Sequence, residues 1–264
     1  MTTPPVSAFL ICQDEEACIE PAIRSLAGFD EIVVVDSGST DGTRAILDRL
    51  AAEGFPIRFV HNPWPGYARQ KQVALELCRN DWCFSLDADE RLDEAFRAVL
   101  PALLADPGTM GWKLPRVESL YGYGYVPKGV RSKPILRLCR KSRSRFDLSA
   151  LVHEGLVVDG PVKTVPSGAM LHARPLPIAE QLVKEAKYGS LKARQRRRDG
   201  KRASLFKLVF NPLFYFLRIY FRDRHFLCGR AGFIHAMTGL VYSFAAEASH
   251  AEAEMHERRG AGAE

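Results

Sequence analysis

Trp82-Cys83-Phe84-Ser85-Leu86-Asp87-Ala88-Asp89-Glu90 is an apolar run that ends abruptly in acids. A segment this short and this apolar reads as a strand buried on both faces, the habit of a parallel sheet. Residues two apart on a strand point to the same side, so Asp87 and Asp89 can turn both carboxylates toward one ligand where the strand ends. The same acids would suit the first turn of a helix, but the strand ahead of them favours the ligand reading.

Working outward, hydrophobic spacing predicts strands at 6–12, 31–36, 57–60 and 82–86, and helices at 14–26, 43–50 and 67–78. Thr40 and Asp41 are both available to cap the second helix. Strand–helix alternation with short connections implies right-handed crossovers and a mainly parallel sheet flanked by helices. Such sheets bind ligands beyond the carboxyl ends of their strands. The residues there are Gln13, Asp14 and Glu15 after the first strand, Asp36 after the second and Asp87 to Glu90 after the fourth. No glycine follows the first strand, which argues against a dinucleotide-binding dehydrogenase. From 111 to 172 the pattern turns irregular and aromatic, as short strands and loops facing an acceptor would.

The 264 residues are 47% hydrophobic and 26% charged, which is globular composition. Six cysteines form no CxxC pair and no zinc spacing, so they are expected as buried free thiols in a reducing compartment. Residues 1–5 lack a secretory pattern, and a cytoplasmic location is the expectation. The net charge of +6 is uneven, because residues 184–230 carry fourteen Lys and Arg against three acids. The apolar stretches 205–221 and 226–246 are interrupted by Lys207, Arg218 and Arg230, and neither makes a clean membrane span. Basic residues beside aromatic-rich helices suit an anionic membrane surface; a helical cap or dimer interface is the alternative. Nucleic acid is not expected, since it would want a cationic groove with exposed stacking aromatics. The polar tail after Ala246 is expected to fray. The division is thus 1–175 for a catalytic domain, 176–250 for a basic amphipathic helical extension and 251–264 for a polar tail.

Asp36, ending Val33-Val34-Val35-Asp36-Ser37-Gly38-Ser39-Thr40-Asp41-Gly42-Thr43, could accept hydrogen bonds from a base or ribose, while Ser39, Asp41 and Gly42 shape the turn. Together with Ile11-Cys12-Gln13-Asp14-Glu15-Glu16 and Ser85-Leu86-Asp87-Ala88-Asp89-Glu90, this segment resembles the family 2 inverting glycosyltransferases of GT-A fold. Ala68-Arg69-Gln70-Lys71-Gln72-Val73-Ala74-Leu75 and Leu151-Val152-His153-Glu154 look like the branch that builds the lipopolysaccharide inner core. The resemblance implies a nucleotide sugar, foremost a UDP-sugar, with Gln13, Glu15 and Asp36 at the base. It implies Arg69 and Lys71 at the ribose–diphosphate, Asp87 at the ribose, and Mg²⁺ or Mn²⁺ at Asp89, with His172 either completing the shell or contacting phosphate. Glu154 would be the base that deprotonates the acceptor, giving inversion. Family members often carry two acids where this chain has His153-Glu154, and Tyr125-Val126-Pro127-Lys128 replaces an expected acid by a base. The implied partners are a glycolipid acceptor and the inner face of the cytoplasmic membrane. The alternative is a non-catalytic sugar-nucleotide-binding, membrane-associated module of the same fold.

Overall fold

The computed structural model describes residues 4–148, 155–173 and 176–261. The chain begins as the alternation predicts, with β1 (Val6–Cys12), α1 (Ile19–Ser25), β2 (Glu31–Asp36), α2 (Thr43–Ala52), β3 (Ile57–His61), α3 (Tyr67–Leu77) and β4 (Trp82–Ser85). Next come β5 (Glu90–Leu92), α4 (Glu94–Ala105), β6 (Gly111–Leu114), β7 (Arg116–Leu120), β8 (Gly124–Tyr125) and β9 (Ile135–Arg140). Short strands β10 (Ser144–Phe146), β11 (Leu156–Val158), β12 (Val162–Thr164) and β13 (Met170–His172) precede the helices α5 (Ile178–Arg198), α6 (Leu205–Leu217) and α7 (Gly229–Ala261).

Two compact units emerge, one of residues 4–118, 132–148 and 155–173, the other of 119–131 and 176–261. In the first, seven strands run in the order β12-β6-β9-β4-β1-β2-β3. The β4-β1-β2-β3 block is parallel, and β9 lies antiparallel between β4 and β6. Alternation sorts the strand residues onto two faces. Ala8, Leu10, Ile32, Val34 and Phe84 pack in one core with α1, α2 and α4, and Phe9, Val33, Val35 and Cys83 pack in another with α3. Because both faces are covered, all six residues of β2 are buried, which explains its unbroken apolar reading. A small sheet, in which β13 runs between β5 and β7, stands at the end of β4. None of the six cysteines forms a disulfide, and five are buried.

Two boundaries differ from expectation. The first helix starts at Ile19 rather than near 14 because Asp14 takes a positive φ of 54° and the segment is spent on the neighbouring loop. There the backbone amides of Asp14, Glu15 and Glu16 donate to Ser39 Oγ, Thr43 Oγ1 and Asp41 Oδ2 at 2.8–3.0 Å, while Thr40 N and Gly42 N donate back to Asp14 Oδ1 and Glu16 Oε2 at 2.7 Å. The N-cap of α2 is Gly42 rather than Thr40 or Asp41, though Asp41 Oδ1 accepts from Thr43 N at 3.0 Å. In the second unit α7 stays helical past Ala246, to Ala261. Glu247 and His250 are buried there, with Asn211 Nδ2 donating to Glu247 Oε1 at 2.6 Å and His250 Nε2 meeting Lys201 O at 3.0 Å. Those contacts hold a turn whose composition alone suggests fraying.

Candidate functional site

The acids after β4 are the centre of a charged network in the first unit. Asp87 Oδ1 pairs with Lys71 Nζ at 2.9 Å, and Asp87 Oδ2 accepts from Arg137 Nη2 at 2.7 Å. The same Arg137 nitrogen donates to Glu90 Oε1 at 2.8 Å, and Arg116 Nη1 lies 3.6 Å from that oxygen. Arg116 Nε donates to Glu118 Oε1 at 2.7 Å; Glu118 Oε2 lies 2.8 Å from His172 Nδ1, and His172 Nε2 lies 3.1 Å from Asp89 Oδ2. Eight side chains thus form one path from Lys71 to Asp89.

Backbone pairing sets this order. On the small sheet His172 is in register with Glu90 on one side and Glu118 on the other. Arg137 comes from β9, which pairs directly with β4. It is the single charge between Ile135 and Cys139, and a cation placed in a buried strand needs a buried anion. Glu90 supplies it, with a side chain fully out of solvent.

The network displaces the ionisation of its members. Burial pushes Asp87 up, but Arg137 and Lys71 outweigh it and hold the carboxyl well below its ordinary value. Burial, with Asp87 adding to it against Arg137, leaves Glu90 raised. Burial would raise Glu118 too, yet His172 and Arg116 bring it down to about 2. His172 is raised to about 9, its burial overcome by Asp89 and Glu118.

The loops after β1 and β2 hold the remaining candidates. Gln13 is exposed and Glu15 half-buried. Asp36 is 4% exposed and turned into its own loop. Its Oδ2 accepts from Gly38 N at 2.8 Å and Ser39 N at 2.9 Å, and its Oδ1 accepts from the Ser39 hydroxyl and, at 3.6 Å, from Cys12 Sγ. A carboxylate offers about four acceptor sites, and these four donors take them. Arg69 is exposed on α3, whereas Lys71, two residues on, reaches Asp87. Gln70 between them is fully buried and ties α3 to the second loop through Nε2, which donates to Ser37 Oγ at 3.0 Å. Glu154 and His153 lie outside the described residues.

Lys71 with Asp87 and Asp89 with His172 are therefore brought together from the sequence candidates. Arg116, Glu118 and Arg137 were not among them. Only Arg137 left a signal, a lone charge inside an apolar strand; Arg116 and Glu118 sit on a strand that alternates too weakly to read.

The site can be set beside known proteins. Residues 7–122 match the family model of Glycosyl transferase family 2. The lipopolysaccharide core biosynthesis glycosyltransferase LpsC of Rhizobium meliloti (strain 1021) is 53% identical over 241 residues, which cover 91% of this chain and 89% of that protein. An uncharacterized glycosyltransferase of Rickettsia typhi (strain ATCC VR-144 / Wilmington) is 30% identical over 252 residues, covering 91% and 83%. Among solved structures, a mannosyltransferase from Pyrobaculum calidifontis in complex with GDP-Man and Mn²⁺ superposes with a TM-score of 0.57 at 18% identity, covering 95% of this chain and 88% of that one. S. aureus TarS 1–349 in complex with UDP-GlcNAc gives a TM-score of 0.54 at 14% identity, covering 92% and 91%. At such identities the likeness is one of fold.

Proposed function

The chain belongs to glycosyl transferase family 2, and we propose that it moves a sugar from a nucleotide donor to a lipopolysaccharide-core or related glycolipid acceptor in one inverting displacement. Sheets of this kind bind ligands beyond the carboxyl ends of their parallel strands, which supports donor binding at the acids after β4.

The observation that carries the reading is the Asp89–His172 pair. Mg²⁺ and Mn²⁺ are held by few protein ligands, with substrate phosphates and water filling the shell. Asp89 Oδ2 and His172 Nε2 stand 3.1 Å apart, sharing a proton, and both could turn to one cation that displaces that proton. Among the described residues no three His, Cys, Asp or Glu side chains are grouped to hold a metal alone, which fits a site completed by the diphosphate. Glu118 at Nδ1 orients the imidazole so that Nε2 faces Asp89, the residue that would hold the cation with it. A divalent cation held there would supply positive charge against the departing diphosphate.

The other residues bind and steer. Gln13 and Glu15 receive the base, and Asp36 acts by holding the turn beside them. Arg69 approaches the ribose–diphosphate. Lys71 and Arg137 fix Asp87 so that it meets the ribose with a set orientation. Glu154 takes the proton from the acceptor hydroxyl as the new bond forms on the face opposite the leaving group.

The reading extends to the membrane surface on the cytoplasmic side. Leu205, Phe206, Val209, Phe210, Leu213 and Leu217 are all exposed on one half of α6. No helix among the described residues is long and apolar enough to cross a membrane. A helix of this kind lies in the interface plane with its apolar side in the acyl boundary. That position would bring the enzyme to a lipid-borne acceptor.

The test is release of nucleoside diphosphate from a panel of nucleotide sugars with Mn²⁺ and a core-oligosaccharide lipid acceptor. Acceptor-dependent release by wild type, lost in Asp89→Ala, supports transfer. A nucleotide-induced rise in melting temperature with no release under any condition would leave the non-catalytic module standing instead.

A further inference from the structure

In the second unit, residues of α5, α6 and α7 line a half-open cavity of about 380 Å³ that takes no part in the chemistry above. Three cations line it, Lys192 and Arg196 from α5 and Arg218 from the turn after α6, together with Asn211, Tyr215 and Tyr242; no carboxylate is in the lining. Arg196 is answered from behind, where Glu247 Oε1 lies 2.7 Å from its Nη1 and also accepts from Asn211. Arg218 stacks over the Tyr215 ring at 4.2 Å and has Asp223 at 3.9 Å. Two of the three cations are thereby met by carboxylates, and Lys192 carries the positive charge that remains in the lining. Guanidinium, ammonium, amide and phenol groups converging on one space make a donor set for phosphate oxygens.

The mouth of the cavity identifies the ligand. Phe214 lines it and is also 59% exposed on the apolar half of α6. An in-plane helix sinks its apolar side only as far as the headgroup–acyl boundary, so on a docked α6 a cavity that shares Phe214 with that side would stand near the level of lipid phosphates. Its sign also fits, since residues 184–230 carry fourteen Lys and Arg against three acids and the cytoplasmic leaflet is anionic.

We propose that this cavity receives the phosphate of an anionic phospholipid headgroup while the apolar half of α6 enters the bilayer beside it. The proposal rests on the membrane-surface reading above and adds a defined lipid site to it.

Co-sedimentation of the full chain with phosphatidylcholine vesicles, with and without phosphatidylglycerol, tests it. Three paired variants are compared, each first checked for native melting. Lys192→Gln/Arg218→Gln empties the cavity of two charges. Arg194→Gln/Arg202→Gln removes the same charge from exposed positions outside it. Phe210→Ser/Leu213→Ser spoils the apolar side. The cavity pair is expected to weaken binding to anionic vesicles roughly a hundredfold and the outer pair roughly tenfold or less, with vesicles of phosphatidylcholine alone indifferent to both. Ser243→Met, which fills the cavity without changing charge, should reproduce the cavity pair's loss. Equal losses for the two charge pairs would overturn the headgroup site and leave surface docking intact. Stabilisation of wild type by inorganic phosphate, with vesicle binding untouched by the cavity pair, would overturn it in favour of a soluble phosphate. Failure of wild type to sediment with either vesicle, or full binding by Phe210→Ser/Leu213→Ser, would remove the docking reading itself, and the lipid site with it.

Discussion

His172 places Nε2 3.1 Å from Asp89 Oδ2 across 83 residues of sequence, by way of the β13–β5 pairing. The pair should act as one unit in holding a divalent cation. Asp89→Ala is expected to abolish Mn²⁺-dependent stabilisation by nucleotide and to lower turnover on the order of 10²-fold or more. His172→Ala should weaken the same response, and chelation of wild type by EDTA should mimic Asp89→Ala and reverse on adding Mn²⁺. Thermal shifts over a metal titration read all three; metal-dependent stabilisation unchanged in both variants would break the assignment.

Arg137 is the hinge of the charged network. Removing it leaves Asp87 with Lys71 alone and Glu90, whose side chain is out of solvent, with Arg116 3.6 Å away as its remaining cation. Arg137→Met should therefore cost about 3–5 kcal/mol, seen as an earlier urea midpoint with an unchanged slope. Adding Glu90→Gln should recover part of that loss, because the carboxylate most deeply stranded is gone. A double variant no better than the single one would show that the cost lies in packing and not in charge.

These two sites differ in how legible they were. Asp87 and Asp89 could be read because a short apolar run ending in spaced acids is a local pattern, and the strand period does the rest. His172 was reached only through a family resemblance. Glu118 and Arg116 were silent, since their meaning comes from register with β13, a pairing no local window contains. The first helix was placed too early for the same reason. Residues 14–16 are committed by hydrogen bonds to a loop about 25 residues away, and helical spacing carries no trace of those bonds.

Asp36 gives a prediction in pH. Burial pushes its carboxyl up, but the Ser39 hydroxyl and the amides of Ser39 and Gly38 outweigh burial and hold it below its ordinary value. A carboxyl held low in the folded state adds stability that is complete above its unfolded pKa of about 3.9 and is lost as pH falls through the lower folded value. Asp36→Asn should thus cost about 1.5–3 kcal/mol near neutrality, and the gap from wild type should narrow as pH drops below about 4. Unfolding curves of both proteins across that range decide it, and a gap that stays constant would mean the charge is not what the turn uses.

Glu154 separates an enzyme from a binding module. If its carboxylate takes the acceptor proton, Glu154→Gln should lower kcat about 10²–10⁴-fold, while donor affinity should stay near wild type because the proposed donor contacts, in the loops after β1 and β2 and at the Lys71–Asp87 pair, do not include it. Slow hydrolysis of the donor by water, which does not need that base in the same position, should fall much less. Comparing acceptor-dependent transfer with acceptor-independent release in one preparation therefore isolates the role. Equal losses in both would point to a Glu154 that shapes the site, and undiminished transfer would send the search for the base to another side chain.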